Sequence, residues 1–399
     1  MTRRALICSN HFDTWSGSEL VAIEISEGLQ ERGWLVDTFV SSGDLLFIKD
    51  AFPDNERIFN EASELPDIEV YDLIYTQHQA CVPYLGLQYN RDSFSRSLPA
   101  FIYAHLSPFS PYEKPFSLTE GFLADLILVN SQETFEVVSE YGPAYEEISI
   151  FPNPVPKSFR QKTCRNRNID EQKRNILVVS NHIPKEVRSA IEILRQSNVD
   201  VSVIGLSDTS TRVCAETIDS ADAVVTIGKT VQYALARACP VFCYDHFGGP
   251  GWLTDANFDL AEKYNFSGRC AGTKHDGETL AGMLIKTPPE SERFSENFEM
   301  NFPKRLLLSF WLDIFEDLSP RPNKIRGEDF EFAIKRDLII SEILRNTKSR
   351  ISEYTRAYKN SSKNNKKLRE KIEKIEEQLG AAQRENEALK QDAVTGNRG

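Results

Sequence analysis

The triplet Gly228-Lys229-Thr230 follows the apolar run "ADAVVTI" and opens a stretch of helical periodicity. A glycine at that point lets the backbone turn and approach a ligand closely. It also leaves the amides of Lys229, Thr230 and Val231 at the positive end of a helix. Such a helix start is an anion site. The full G-x-x-x-x-G-K-[ST] loop of ATPases is absent, because "AVVTI" precedes Gly228. The competing reading is a tight turn with a solvated Lys229. Further on, Gly248, Gly249 and Gly251 in "YDHFGGPGW" permit a loop close to a ligand, with Trp252 as a stacking face. A plain tight connection explains the same residues.

Positioning an anion site takes a scaffold, and the apolar pattern supplies one. "RALICSN" reads as a buried strand, "LVAIEISEGLQERG" as a helix and "WLVDTFVSS" as the next strand, a βαβ unit. Ser16 and Glu19 have the spacing of a capping box at the helix start. Further runs, "YDLIYTQ", "PAFIYAH", "DLILVNS" and "EISIFPN", are nearly unbroken in apolar residues, as in a parallel sheet covered on both faces. The pattern restarts with "NILVVSN", "VDVSVIG", "ADAVVTIG" and "CPVFCYD". The expected fold is α/β: a Rossmann-like doubly wound domain over 1–156, a linker over 157–174 and a second such domain over 175–318. A linker and helix follow over 319–343. Two such lobes face a cleft, and their ligands lie beyond the carboxyl ends of the strands. By that rule His105, after "FIYA", faces the cleft, with His11 and His78 as lesser candidates at strand ends. Asn130 and Ser131 in "LVNS" also end a strand, where an Asx turn would explain them equally.

The bulk properties remove several classes. A net charge of -12 over 399 residues argues against a nucleic-acid groove, so an anionic ligand must be held locally. The seven cysteines are odd in number and contain no C-x-x-C pair, and neither His nor carboxylate spacing suggests a metal site. "MTRRALICSN" runs straight into a strand, and no stretch reaches the ~18 apolar residues of a membrane span. A cytoplasmic protein is expected, with peripheral contact at the inner membrane face left open.

From Leu344 to residue 392 a seven-residue repeat can be laid down, with Leu344, Ile351, Ile372 and Leu379 among the a positions and Leu368, Ile375 and Leu389 among the d positions. This predicts a C-terminal helical coiled coil. Lys371 with Glu376, and Glu385 with Lys390, pair as g and e residues of a parallel homo-oligomer, whereas the alternative is a solvated single helix.

Taken together, "SGSELVAIEISEGLQERGW", "LVNSQET", "NPVPKSF" and "GKTVQYALARACPVFCYDHFGG" resemble nucleotide-sugar glycosyltransferases of the two-lobed GT-B architecture. They look most like the retaining, metal-independent family of bacterial mannosyl-, glucosyl- and rhamnosyltransferases. The resemblance covers roughly residues 3 to 315. It places the donor diphosphate at Gly228, Lys229 and Thr230. The family's two glutamates around this turn align with Val225 and Tyr233, and Tyr233 cannot accept two ribose hydroxyls as a carboxylate does. The family's phosphate-clamping cations have counterparts in Lys185 and Arg188, which share a helical face after Asn181 and His182. Gly17 and Ser18 resemble the small residues of the first βα loop that admit phosphate or acceptor. His105 resembles the histidine that touches donor sugar or acts near the acceptor hydroxyl.

The implied activity is metal-independent transfer of a sugar from a nucleoside diphosphate sugar, without a further cofactor. The acceptor would be a saccharide, a lipid-linked sugar or a protein, in bacterial polysaccharide or glycoconjugate synthesis. Two rivals stand beside it. One is a catalytically weakened scaffold that assembles other pathway enzymes through its coiled coil, which loss of both family glutamates favours. The other is a sugar-nucleotide epimerase, which needs ionisable groups on both sides of a sugar carbon.

Overall fold

The computed structural model describes residues 2–350 apart from 11, 13–14, 42, 44, 53–56, 78, 93, 95–97, 109–115, 143–146, 162–173, 206–210, 321–326 and 348–349. The chain divides into one compact unit, Met1–Ser341, and a second, Glu342–Gly399.

Seven strands form the sheet of the first lobe: β1 (Arg4–Ser9), β2 (Leu35–Val40), β3 (Ile58–Phe59), β4 (Leu73–Gln77), β5 (Ala100–His105), β6 (Leu126–Val129) and β7 (Ile148–Ile150). They are all parallel, in the order β3-β2-β1-β4-β5-β6-β7. The order reverses between β1 and β4, where a doubly wound sheet opens a crevice. Strands β4 and β5 are buried at every residue, which is why they read as unbroken apolar runs.

The second lobe holds β8 (Asn175–Val179), β9 (Asp200–Ile204), β10 (Ala223–Thr226), β11 (Val241–Asp245) and β12 (Gly248–Trp252). Their order is β12-β11-β10-β8-β9, parallel except for the β11–β12 pair. Here the reversal lies between β8 and β10. The expected glycine loop after Asp245 is thus an antiparallel hairpin. A Cβ on Gly249 would come within 2.0 Å of the Cys243 carbonyl oxygen, so this glycine lets the two strands close. Its sequence hides a strand because glycine and proline replace the β-branched residues that normally mark one.

The carboxyl segment of the second lobe returns to the first. Val155 donates to the Leu306 carbonyl at 2.7 Å, and Leu308 donates to the Val155 carbonyl at 3.0 Å. The helix Leu308–Asp317, expected within the second lobe, then buries Trp311, Leu312 and Phe315 in the core beneath β1 and β4. It crosses the helix Gly17–Glu31 at Gly28, where a Cβ would stand 2.5 Å from Leu312 Cδ1. A helix starting at residue 328 also docks on the first lobe through Phe330 and Ile334. There Asp337 accepts bonds from Ser117 Oγ and the Leu118 and Thr119 amides. An apolar helical face specifies burial but not the sheet that buries it, so the boundary at 318 does not divide the lobes.

Within the linker, Lys157–Arg160 form a short turn with Phe159 buried, and residues 162–173 lie outside the described residues. The same holds for the coiled coil of 344–392 beyond residue 350, and for His11 and His78. Among the described residues no helix is long and apolar enough to cross a membrane.

Candidate functional site

The carboxyl ends of both sheets converge on a cleft of about 370 Å³. Asn130 follows β6, Ser180, Asn181 and His182 follow β8, Thr226 ends β10, and Asp245 ends β11. The helix starts at Gly17 and Lys229 both line the cleft and approach each other closely; a Cβ on Gly17 would stand 4.0 Å from Lys229 Cβ. A larger crevice of about 1270 Å³ runs past Arg4 and Leu35, at the amino ends of β1 and β2. The strand-end rule favours the smaller one.

Gly228 sits at φ 60° and ψ -137°, a conformation that disfavours any side chain. It launches the helix Lys229–Ala236, which has no side-chain cap, and a Cβ at Gly228 would meet nothing within 4 Å. Gly228, Lys229 and Thr230 all line the cleft. The amide of Val231 is engaged by the Gly228 carbonyl at 3.0 Å.

The Lys229 ammonium does not project into open solvent. It stands 2.7 Å from Glu24 Oε2, on the helix Gly17–Glu31 of the other lobe, and donates to the Pro154 carbonyl at 2.9 Å. Glu24 also accepts from the Tyr233 hydroxyl. Burial pushes the Glu24 carboxyl up, against the pull of Lys229, and pushes the Lys229 ammonium down. Tyr233 is placed on this interlobe node, its ring stacked on Phe159 at 4.1 Å, and its phenol is raised well above its usual range by burial and then by Glu24. It does not line the cleft.

Further ties join the lobes around this node. Arg212 forks onto Glu27 at 2.5 and 2.8 Å, Arg269 pairs with Glu133 through both carboxylate oxygens, and Asn153 donates to Asn265 at 2.8 Å.

The other expected site residues divide into two groups. Gly17, Ser18, Asn130 and Asn181 line the cleft with the Gly228 turn. Ser131, His105, Lys185, Arg188, Gly248 and Gly249 do not. Ser131 caps the helix Gln132–Tyr141, accepting from the Thr134 amide at 3.2 Å, while Asn130 accepts from the Thr134 hydroxyl at 2.7 Å. His105 is buried, with Nε2 at 3.2 Å from the buried Glu120 and its ring edge-on to Phe116; the following residues, Leu106 and Ser107, reach the cleft. Lys185 and Arg188 open the helix Lys185–Gln196 and are exposed, with Arg188 Nε donating to the Ile183 carbonyl at 3.3 Å. Ser16 holds the cap position of its helix without a side-chain cap bond; its hydroxyl lies 3.3 Å from Ser18 Oγ, which donates to Glu19 at 2.9 Å.

Sequence reasoning passed over Glu24, Arg212 and Asp245. Glu24 carried a signal: it is a carboxylate amid "LVAIEI", on what is otherwise an apolar stretch of helix. Asp245 lies in "VFCYDHF" at the end of a buried strand, where the rule that picked out His105 applies equally.

No protein-family model and no curated protein matches this sequence. Solved structures do. HepE of Anabaena in complex with UDP and glucose is similar at a TM-score of 0.51 and 13% identity, covering 79% of this chain and 98% of that one. Its complex with UDP-glucose is similar at 0.51 and 14%, covering 78% and 98%. At that identity the likeness speaks to architecture, and with the topology and cleft above it establishes two Rossmann-like lobes of the GT-B fold.

Proposed function

We propose that this chain is a glycosyltransferase that moves a sugar from a nucleoside diphosphate sugar to an acceptor hydroxyl. The observation that carries the reading is the uncapped helix start at Lys229 and Thr230, opening on the cleft behind a glycine with free space above it. HepE, which has the same fold, binds UDP-glucose.

On this reading the helix amides hold the diphosphate. Breaking the anomeric bond builds positive charge on the sugar and negative charge on the diphosphate. Fixed dipoles aimed at the latter lower the barrier, and Lys185 and Arg188 are assigned to reach the same charge from the neighbouring helix start. His105, behind Leu106 and Ser107, is assigned to positioning sugar or acceptor. Retention of configuration and independence of metal belong to the proposal through the family resemblance, as do a cytoplasmic location, a saccharide, lipid-linked or protein acceptor, and assembly through a parallel coiled coil.

One observation favours a weakened relative serving as a scaffold: the Lys229 ammonium and the Tyr233 phenol both face Glu24. A panel of nucleotide sugars, followed by thermal shift and by release of nucleoside diphosphate, separates the readings. Binding with release supports transfer, interconversion of UDP-sugars supports an epimerase, and absence of binding supports the scaffold.

A further inference from the structure

Asp245 ends β11 in the cleft wall with 7% of its side chain exposed. Its Oδ2 lies 3.1 Å from Nδ1 of His246, a residue more than half exposed. Its Oδ1 is buried and meets no hydrogen-bond donor among the described residues. A buried carboxylate oxygen without a donor is rare in folded proteins and points to a partner supplied from elsewhere. Asp245 is the one carboxylate among the described residues lining the cleft, and the uncapped start of the Lys229 helix lines it too. The cleft therefore combines an anion-binding end with a strong acceptor that wants an O–H or N–H.

From this we infer that Asp245 accepts a hydrogen bond from a sugar hydroxyl of the bound nucleotide sugar, a role that Tyr233, turned away from the cleft onto Glu24, does not fill. The inference rests on the donor-binding reading of the cleft. The Cβ–Cγ torsion of aspartate is broad, and the contact of Oδ2 to the exposed His246 is a weak restraint on it. A hydroxyl bound to a carboxylate is a charge-assisted bond, which makes its removal measurable.

The test is calorimetric titration of wild type and Asp245→Asn with UDP-glucose, UDP and 2′-deoxy-UDP. The substitution keeps the shape and removes the charge. Asp245→Asn is expected to bind UDP-glucose ten- to a hundredfold more weakly. An equal loss for UDP assigns the ribose as the partner, and a loss confined to UDP-glucose assigns the hexose. If the ribose 2′-hydroxyl is the partner, wild type discriminates against 2′-deoxy-UDP and Asp245→Asn does not, a readout that a merely structural role would not move. Should Asp245→Asn fail to fold, Asp245→Ser is titrated in its place. Undiminished UDP-glucose affinity in a folded variant overturns the inference and leaves the cleft reading standing. Wild type that binds neither these nor GDP-mannose, ADP-glucose or dTDP-rhamnose overturns both.

Discussion

Glu24 and Lys229 meet across the two lobes at 2.7 Å, with 1% and 3% of their side chains exposed. The contact lies directly behind the helix start that faces the cleft, so the charge nearest the candidate diphosphate site is already partnered by the opposite lobe. Burial works against both ions, and their mutual attraction offsets it only in part. The pair therefore acts less as a source of stability than as a determinant of how the lobes meet.

Removing one member strands the other. Glu24→Gln or Lys229→Met alone should destabilise the protein by about 3–5 kcal/mol, because each leaves an uncompensated buried charge. The double variant should recover most of that loss in urea denaturation. Simple additivity of the two single effects would show that the ions do not interact energetically.

Gly228→Ala separates conformation from ligand space. The positive φ makes the change cost about 1–3 kcal/mol of stability. The new methyl also points into space that the donor would occupy, so nucleotide-sugar affinity should fall at least tenfold in the folded fraction. Full binding by a destabilised Gly228→Ala would place the ligand away from this turn.

The helix Leu308–Asp317 is held on the first lobe partly by Glu316. Burial raises its carboxyl, but bonds from Trp34 and Arg32 and the charges of Arg32 and Arg3 outweigh this and hold it below its usual value of 4.5. A depressed carboxyl lends stability that is complete above the unfolded value and fades as pH falls through the folded one. Glu316→Gln should thus cost about 1–2 kcal/mol at pH 7 and progressively less below pH 4.5. Paired denaturation curves across that range check this, and a gap that stays constant with pH would contradict it.

A chain ending at residue 350 lacks nearly all of the expected heptads but keeps the helix that carries Phe330, Ile334 and Asp337. It should sediment as a monomer with an unchanged melting temperature, while the full chain sediments as an oligomer. Equal sedimentation of the two would remove the coiled coil as the source of assembly.

Strand existence was legible because buried parallel strands leave continuous apolar runs, and the turn at Gly228 was legible because a glycine directly follows one of them. Three features were not. The β11–β12 hairpin hid behind Gly248 and Gly249, which allow close backbone packing, and Gly251, which takes a positive φ; in sequence all three look like a flexible loop. The return of Trp311 and Phe315 to the first lobe depends on which sheet an apolar helix covers, a long-range choice that periodicity does not encode. Tyr233 and Lys229 align with donor-binding positions of the family, yet half of a helix's faces point elsewhere, and only the position of Glu24 in space decides which way they turn.

The most direct measurement is a crystal structure of the protein soaked with UDP-glucose. Diphosphate oxygens are expected within hydrogen-bonding distance of the Lys229 and Thr230 amides, in the cleft beside Gly228. Nucleotide found only in the crevice beside Arg212, with the Lys229 and Thr230 amides free of it, would contradict this.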